Sequence, residues 1–541
     1  MPETEPGTGS HPGSPASGRT RTFLRRPAPW WLRLGASVAS GLVLAAAYPP
    51  YDLGLLALVA LIPLLWAWHG AGPGRAALFG FAAGVVFFGI TLAWTSNVGL
   101  IAAIALTLAQ AGYWALAGAI VGGLDRLGIR APWITAATWV LVEAVRGRFP
   151  LGGMAWAEAG MALHDASPAR ALATAGGVPL LSFLVVALNA LLLDVVLAAR
   201  ARTLRPLFAA GAGILAVVLV TGVAVAGRFE PRPTGRVRYA LIQGNDQDRR
   251  LTQAEIDSGY LTNKHLALAD RLRGGYDLIV FPESALETDP ETDPTLRDRI
   301  VALAKEHDSA VMVNAITVGP DGKEFNTNRL YSPTGALVGS YSKQHLVPFG
   351  EYVPWGGWPR DVIPALAAQV SRDFTPGDKT VVLDAKGHRI GTVICFESAF
   401  APLVRASVRA GADLLVVSTN NRSYRHSALS VQHLATSQMR AAETARPVLH
   451  ASVSGITGVV DASGRVVQTN PLFHNAVVQG RITAMTGETP YVRYGDWVVW
   501  GSGLVLVGAV ITGVTRRRLE VRNRVGVEPV GNSRRDRVRE S

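Results

Sequence analysis

The chain has 541 residues, of which 49% are hydrophobic and only 17% are charged, and its mean hydropathy is +0.24. This composition is too apolar for a soluble protein of this length and predicts membrane-spanning helices. The net charge of +12 comes from arginines that cluster at both termini and in short loops between apolar runs. That distribution is typical of membrane topology, so we expect no nucleic-acid partner.

Residues 1–29 are rich in Pro, Gly, Ser and Thr and lack an apolar stripe, which predicts a disordered tail. The first apolar run has no convincing small-residue cleavage site, which favours a retained helix over a signal peptide. Seven runs within residues 30–228 and an eighth at 497–514 approach the roughly 20 residues that a spanning helix needs. The predicted spans are Trp30–Tyr48, Leu53–Trp68, Ala76–Thr95, Val98–Gly123, Trp133–Val145, Gly177–Ala199, Leu207–Ala226 and Trp497–Val514.

Positive charge falls on one side of these predicted spans, except in the long loop that contains Arg146, Arg148 and Arg170. The N-terminal tail, the loop near Arg126 and the basic tail of residues 515–541 lie on one side, whereas the opposite loop Pro49–Asp52 carries no Lys or Arg. By the positive-inside rule, both termini are predicted to be cytoplasmic. The segment 232–490 is therefore predicted to be extracytoplasmic.

The segment 232–490 differs in character from the rest of the chain, because short Val-, Ile- and Leu-rich strands alternate there with turns and charged helical segments. This pattern predicts a layered α/β domain with a mixed sheet and a core of its own. The predicted elements include the strands Val237–Gln243, Asp277–Phe281, Val311–Thr317, Ala336–Tyr341, Arg389–Cys395, Asp413–Ser418 and Val448–Val453 and the helices Pro294–Glu306 and Ser430–Thr444.

Cys395 is the only cysteine of the chain and stands where a predicted strand gives way to a loop. A lone cysteine cannot form an intramolecular disulfide, so it serves either packing or reactivity. A buried, inert thiol is the usual role of a free cysteine. The position at a strand end, where active sites of layered α/β domains gather, favours a reactive thiol.

Two further segments place a charged side chain where a predicted strand ends, as Cys395 is placed. Glu283 ends a predicted buried strand, where loss of hydration suits a carboxyl group to act as a general base, although a capping or loop carboxylate is the alternative. Lys343 precedes an aromatic and Pro-rich loop. An ammonium held there can stabilise developing negative charge, although a solvated surface lysine is the commoner case.

Glu283, Lys343 and Cys395, in this order and context, are similar to the Glu-Lys-Cys signature of the nitrilase superfamily, and the resemblance covers the whole segment 232–490. Other segments resemble a membrane-bound branch, the bacterial apolipoprotein N-acyltransferases. The most specific of them is the twelve-residue string Lys343–Pro354. The remaining matches are Leu241–Asn245, Phe281–Glu283, Ile394–Glu397, Ala441–Pro447, Thr489–Asp496, Arg148–Pro150 and Gly176–Phe183.

The resemblance implies a polytopic membrane domain of about eight helices that carries a nitrilase-like αββα sandwich. It gives Glu283 the role of general base, Lys343 that of charge stabiliser and Cys395 that of nucleophile. A second glutamate would position the lysine and the thiol, and two residues next to the nucleophile would support activity. These supporting residues are Glu351, Phe396 and Glu397.

The activity that the resemblance implies is acyl transfer at the bacterial plasma membrane. An acyl chain would pass from a phospholipid to Cys395 as a thioester and then to the N-terminal α-amine of a diacylglyceryl apolipoprotein, with ping-pong kinetics. From its position, the backbone N–H of Phe396 is expected to donate to the oxyanion. The loop 146–176 is expected to contribute to the mouth of the cleft.

The sequence contains no metal cluster, phosphate loop or dinucleotide fingerprint, so we expect no cofactor and no metal. The histidines are scattered and are interpreted as structural; they are His345, His433 and His450. The chain departs from the family pattern in two loops expected near the acyl or acceptor site, Asn420–Tyr424 and Val453–Gly455.

Two other functions stay open. A membrane-tethered nitrilase-type amidohydrolase would use the same three residues with water as the acceptor. A transporter or sensor would bind a ligand in its outer domain and would not need Cys395.

Overall fold

The structure is a computed structural model that describes residues 28–201, 213, 231–245, 252–356, 358–362, 370 and 372–525. Most of the two predicted tails, residues 1–27 and 526–541, lies outside these ranges. The first part of the chain, residues 30–201, is helical and is called the membrane part. Its helices are α1 (Trp30–Ala46), α2 (Ala57–Ala60), α3 (Ile62–Trp68), α4 (Pro73–Thr91), α5 (Leu100–Arg126), α6 (Pro132–Arg146) and α7 (Ser167–Ala201).

Four helices in the described ranges are long and apolar enough to cross a membrane, namely α4, α5, α7 and a C-terminal helix that begins at Trp497. The predicted spans Trp30–Tyr48 and Leu53–Trp68 are shorter as helices, because α1 has 17 residues and the next run is divided between a 3-10 turn, α2 and α3. The predicted span Trp133–Val145 falls within the 15 residues of α6. Apart from residue 213, the predicted span Leu207–Ala226 lies outside the described residues.

Helix α7 is interrupted where it meets the rest of the protein. Gly177 has φ 67° and ψ −167°, a combination that only glycine adopts without strain. Pro179 lies inside the same helix and has no N–H to continue the ladder. The N–H of Val178 instead donates to Oε1 of Glu443 at 2.7 Å. The interruption therefore binds the membrane part to the segment 232–490, which we call the α/β domain.

The α/β domain contains two six-stranded sheets, with strand orders β12-β1-β2-β3-β4-β5 and β11-β10-β9-β8-β7-β6. Three central strands of each sheet run parallel, and antiparallel strands flank them. The mixed strand directions predicted from the sequence are confirmed, and they occur in both sheets of the αββα sandwich that the resemblance implied. The strands are β1 (Arg232–Gln243), β2 (Leu278–Val280), β3 (Ala310–Val318), β4 (Glu324–Tyr331), β5 (Leu337–Ser342), β6 (Val382–Ala385), β7 (His388–Ile394), β8 (Leu414–Thr419), β9 (Val448–Ser452), β10 (Thr457–Val460), β11 (Val466–Asn470) and β12 (Ala476–Thr486).

Helices cover the outer faces of both sheets, which gives the αββα order of layers. Alternation along β1 shows how the layers form, since successive side chains of a strand point to opposite faces. Leu241 packs into the core between the sheets, whereas Ile242 packs against the outer helices. The remaining helices are α8 (Gln253–Asp257), α9 (Tyr260–Ala269), α10 (Pro294–Glu306), α11 (Trp358–Val362), α12 (Ala401–Arg409), α13 (Leu429–Thr444), α14 (Pro490–Tyr494) and α15 (Trp497–Val525).

Helix α13 lies between the second sheet and the membrane part. All its residues except Val431 are buried. One face packs on β9 and β10, with Leu434 in the outer core of the second sheet, and the opposite side meets α7. The predicted helix Ser430–Thr444 is thus confirmed, and its complete burial identifies it as the contact layer between the two parts of the protein.

Candidate active site

Cys395 follows the last residue of β7 and begins a 3-10 turn, Cys395–Ala399. Its φ of 54° lies in the left-handed region, which is uncommon for a residue with a side chain and places the thiol at a sharp turn. Burial raises the pKa of the Cys395 thiol to about 12, the negative charge of Glu283 adds to the rise, and Lys343 opposes it. At neutral pH the thiol is therefore protonated, and attack by its sulfur requires a base.

Lys343 follows β5 and is almost completely buried. Its Nζ lies 2.8 Å from Oε1 of Glu351 and 3.5 Å from Oε1 of Glu283. Burial alone would lower the pKa of Lys343, but the two carboxylates outweigh it and hold the pKa well above its ordinary value. The lysine is therefore a fixed positive charge, and that charge acts on the nearby Cys395 thiol.

The two carboxylates share an amide donor. Nδ2 of Asn326 donates to Oε1 of Glu283 at 2.8 Å and to Oε1 of Glu351 at 3.3 Å. The other oxygen of Glu283 accepts from the backbone N–H of Asn420 at 2.7 Å. Both oxygens of Glu283 accept hydrogen bonds, which fix the direction of its carboxyl group. Asn326 is in turn held by Nδ2 of Asn314, which donates to its Oδ1 at 2.8 Å.

Glu397 joins the lysine-bearing loop to the nucleophile. It is fully buried, and its Oε1 accepts from the backbone N–H groups of Gln344 at 2.7 Å and His345 at 3.0 Å. Its Oε2 accepts from the backbone N–H of Ile394 at 2.7 Å. Burial raises the pKa of Glu397, while these backbone donors lower it. The carboxyl group therefore fixes the loop after β5 against the end of β7.

Aromatic rings line the approach to the nucleophile from the membrane part. The rings of Phe396 and Trp156 are stacked, with centroids 5.8 Å apart and planes at 25°. Trp156 meets Trp94 edge to face at 5.7 Å, and Trp94 meets Tyr424 in the same way at 5.1 Å. The loop 146–176 and the divergent loop at Tyr424 thus both reach this cluster.

His433 of α13 binds the backbone of the nucleophile. Its Nε2 lies 3.0 Å from the carbonyl oxygen of Cys395 and 2.9 Å from Oγ of Ser398. Burial lowers the pKa of His433 to about 4, so the ring is neutral at physiological pH. The carbonyl oxygen can only accept, so this shorter contact assigns the ring proton to Nε2 and makes His433 the donor. The Nδ1 atom, 3.3 Å from the side-chain amide of Asn421, is then the acceptor.

The structure brings Glu283, Lys343, Glu351 and Cys395 into one electrostatic cluster, with Glu397 and Phe396 adjacent to it. Of the groups that hold the cluster, Glu351 and Glu397 were predicted from the sequence, Asn326 was not, and His433 was interpreted only as a structural histidine. Asn326 lies in a polar strand with no apolar alternation, and the histidine at position 433 lies within a predicted helix without any local signal for a site. Their contacts come from elements distant in sequence.

A cavity of about 340 Å³ lies behind the nucleophile turn, between the α/β domain and the membrane part. Glu158, Phe400, Arg440, Glu443 and Tyr491 are among the residues that line it. Within the ranges that the structure describes, no three His, Cys, Asp or Glu side chains are arranged to hold a metal ion.

Comparison with known proteins adds two family matches. The family model described as the apolipoprotein N-acyltransferase N-terminal domain matches residues 40–191, and the one described as carbon-nitrogen hydrolase matches residues 239–491. Among curated relatives, the apolipoprotein N-acyltransferase of Geobacter metallireducens is 32% identical over 506 residues, which cover 90% of this chain and 95% of the relative. That of Methylococcus capsulatus is 31% identical, over 87% of this chain and 94% of the relative.

Among solved structures, Nit3 of Saccharomyces cerevisiae, a member of the nitrilase superfamily, is 18% identical with a TM-score of 0.35. The overlay covers 46% of this chain and 91% of Nit3. The two curated relatives, by contrast, extend over both the membrane part and the α/β domain, so the assignment of a family rests on them.

Proposed function

The chain belongs to the apolipoprotein N-acyltransferase family, and from this premise we propose that it transfers an acyl chain from a phospholipid to the N-terminal α-amine of a diacylglyceryl apolipoprotein through a thioester on Cys395. The observation that carries the proposal is the ammonium of Lys343, buried between two carboxylates and acting on a thiol whose pKa is about 12. A nucleophile, a base and a fixed positive charge are what acyl transfer through a covalent intermediate requires.

In the first half-reaction, Glu283 takes the proton of Cys395 and the sulfur attacks the sn-1 ester carbonyl of the phospholipid. The S–C bond forms, the ester C–O bond breaks, and the proton passes from Glu283 to the departing alkoxide. The products are the Cys395 thioester and a lysophospholipid. Because the thiol is protonated at rest, the base and the nucleophile must act in the same step.

Lys343 and the backbone N–H of Phe396 stabilise the oxyanion that forms in this step. Lys343 keeps its charge because the Glu351 carboxylate stays 2.8 Å from its Nζ while Glu283 carries the proton. One well-placed oxyanion donor typically stabilises the transition state by about 3 kcal/mol, since it faces the developing charge without reorganising. Glu351 orients the ammonium, and Asn326 keeps both carboxylates directed towards it.

In the second half-reaction, the α-amine of the apolipoprotein attacks the thioester carbonyl. Glu283 accepts the proton that the amine loses, the C–N bond forms, and the proton is returned to the departing thiolate. Cys395 is restored and the acceptor carries an amide. Because donor and acceptor use one nucleophile in turn, the kinetics are ping-pong.

The membrane helices bring this site to the substrates. Both substrates carry long acyl chains, and each CH₂ removed from lipid would cost roughly 0.8 kcal/mol. We therefore place the chain in the bacterial plasma membrane with about eight spans, both termini in the cytoplasm, and the cleft of the α/β domain facing the outer leaflet. The arginine distribution supports this orientation, because the short loops 49–52 and 96–97, predicted to be outside, lack Lys and Arg. The longer outer loop 146–176 is the exception, since it contains Arg146, Arg148 and Arg170.

Mass spectrometry of a lipoprotein N-terminus tests the proposed function. Cells that lack their own acyltransferase and express this chain should yield N-acylated lipoprotein, whereas cells that express Cys395→Ala should yield only the free-amine form. If the wild-type chain leaves the amine free, the acceptor is wrong. Release of free fatty acid without amide formation would instead favour the amidohydrolase, which uses water.

A further inference from the structure

Trp156 belongs to the membrane part, yet its ring lies on the residue that follows the nucleophile. Its indole is almost fully buried and stacks on Phe396 with centroids 5.8 Å apart. The pair joins the loop between α6 and α7 to the first turn after β7. The chemical steps above assign no role to Trp156.

A single amide holds that indole in place. Oε1 of Gln432 accepts from Nε1 of Trp156 at 2.8 Å and from Nε1 of Trp94 at 3.2 Å. Its Nε2 donates to the carbonyl oxygens of Pro49 at 3.0 Å and Thr91 at 3.1 Å. An amide offers two donors and two acceptor sites, and Gln432 uses all four on the membrane part. The side chain thereby fixes α13 to that part of the protein.

The next residue of α13, His433, binds the backbone of the nucleophile. Nε2 of His433 donates to the carbonyl oxygen of Cys395 at 3.0 Å. That carbonyl belongs to the same planar peptide unit as the N–H of Phe396, and in a trans peptide the two groups point in opposite directions. A hydrogen bond that fixes the carbonyl therefore also fixes the direction of the N–H. Stacking on Trp156 fixes the side chain of the same residue.

We propose that Trp156 and Gln432 are positioning residues, which set the Cys395–Phe396 peptide so that its N–H faces the oxyanion only when the α/β domain is seated on the membrane part. The proposal rests on the function proposed above, because that function gives the Phe396 N–H its role. Trp156 and Gln432 do not touch the reacting atoms. They act through Phe396 and, by way of α13, through His433.

Two reactions of the Cys395 thiol should respond differently to changes at Trp156 and Gln432. Acyl transfer passes through an oxyanion and needs the Phe396 N–H. Alkylation by iodoacetamide does not, because the sulfur attacks a saturated carbon, the C–I bond breaks, iodide leaves, and the thiol proton goes to Glu283. A loosened peptide should therefore impair the first reaction and spare the second. A general loss of structure would impair both.

The test compares three leucine variants of the full-length chain in lipid vesicles. Trp156→Leu removes the stacked ring, and Gln432→Leu removes the four hydrogen bonds. Gln438→Leu is the matched control, because Gln438 is also buried on α13 and also binds the membrane part, through His164 at 2.9 Å. Its other hydrogen bonds go to Asp165 and Gly464 rather than to Trp156. The measurements are kcat and KM for acyl transfer and the rate of iodoacetamide labelling of Cys395.

We expect Trp156→Leu and Gln432→Leu to lower kcat by about 100-fold with little change in KM, which is typical when a reacting group is misplaced by about 1 Å. Their rates of labelling by iodoacetamide should stay within about 2-fold of wild type. Loss of the base Glu283 would lower the labelling rate by much more than this. Trp156→Phe keeps the ring and should recover most of kcat. Gln438→Leu should keep kcat within about 3-fold, because any loss it causes is one of packing alone.

Two outcomes overturn the inference. If Trp156→Leu keeps wild-type kcat, or if kcat and labelling fall together in all three leucine variants, the residues serve only the stability of the interface. If a leucine variant fails to fold, Trp156→Phe provides the test. A Trp156→Phe protein that is labelled at the wild-type rate but does not recover kcat also contradicts the proposal. A wild-type chain that forms no thioester on Cys395 contradicts the proposed function itself, which is a separate result.

Discussion

Buried polar groups find their partners in different places in the α/β domain and in the membrane part. In the domain, buried charges meet buried partners within the site itself, as Lys343 meets Glu283 and Glu351. In the membrane part, several polar groups instead contact α13, at Gln432 and Glu443, while the buried Arg146 binds Gln110 within the membrane part itself. The charges that act in the proposed reaction therefore lie in the α/β domain. The membrane part holds the residues around the nucleophile in position.

The largest effect should come from removing the nucleophile. We expect Cys395→Ala to lower acyl transfer by at least about 10⁴-fold, because loss of a nucleophile disables the whole catalytic unit. Its apparent melting temperature should change by only a few degrees, since the substitution removes a single sulfur atom. Activity assays and thermal unfolding in detergent check both statements. Residual activity within tenfold of wild type would assign the chemistry to another group.

Lys343→Met should break the balance of charge inside the domain. Two buried carboxylates would then face each other with no cation between them, and breaking such a pair typically costs about 3–5 kcal/mol of unfolding free energy. Adding Glu351→Gln removes one of the stranded charges and should restore part of the stability but none of the activity. If the single variant is as stable as wild type, the charges are not buried as described.

Acid should destabilise the domain through its buried neutral histidines. Burial lowers the pKa of both His433 and His265 from 6.5 to about 4, so between those values the unfolded chain binds protons that the native chain does not. Stability is therefore complete above about pH 6.5 and is lost as pH falls towards 4, by about 3 kcal/mol for each histidine. His265→Leu should flatten the pH dependence of the melting temperature, whereas the exposed His474→Leu should not.

Asn326 should give the smallest effect inside the domain. Asn326→Ala removes the donor shared by Glu283 and Glu351, and a hydrogen bond to a charged group contributes about 1.5–3 kcal/mol. Asn326→Asp removes the donor and adds a third carboxylate, so its loss of activity should be larger than that of the alanine variant. Equal activity of the two variants in the acyl-transfer assay would show that the amide does not face these charges.

Sequence patterns predicted the parts of the site that follow ordinary strand rules. Glu283 and Cys395 follow the apolar strands β2 and β7, whose ends were visible as buried runs that stop at polar residues. β4 did not show this pattern, because only Leu330 is apolar on the face towards the second sheet, where Asn326 and Asn328 occupy two other positions. The site needs amides at those positions, so the usual alternation is absent.

The contact between the two parts of the protein could not be predicted from local patterns. Gln432 and Trp156 are separated by 276 positions, and neither residue type signals a partner so far away. The lengths of the membrane helices also could not be predicted from local patterns. Hydropathy located α1, α3 and α6, but their final lengths depend on packing within the protein, and four described helices reach a membrane-spanning length.

The intact mass of the purified chain after incubation with phospholipid alone tests the central claim most directly. We predict a mass increase of one acyl chain on Cys395, which hydroxylamine removes and which an acceptor lipopeptide discharges as an N-acyl product. Cys395→Ala should show no increase. An N-acylated product that forms without any acylated protein, or with the alanine variant, would contradict the account.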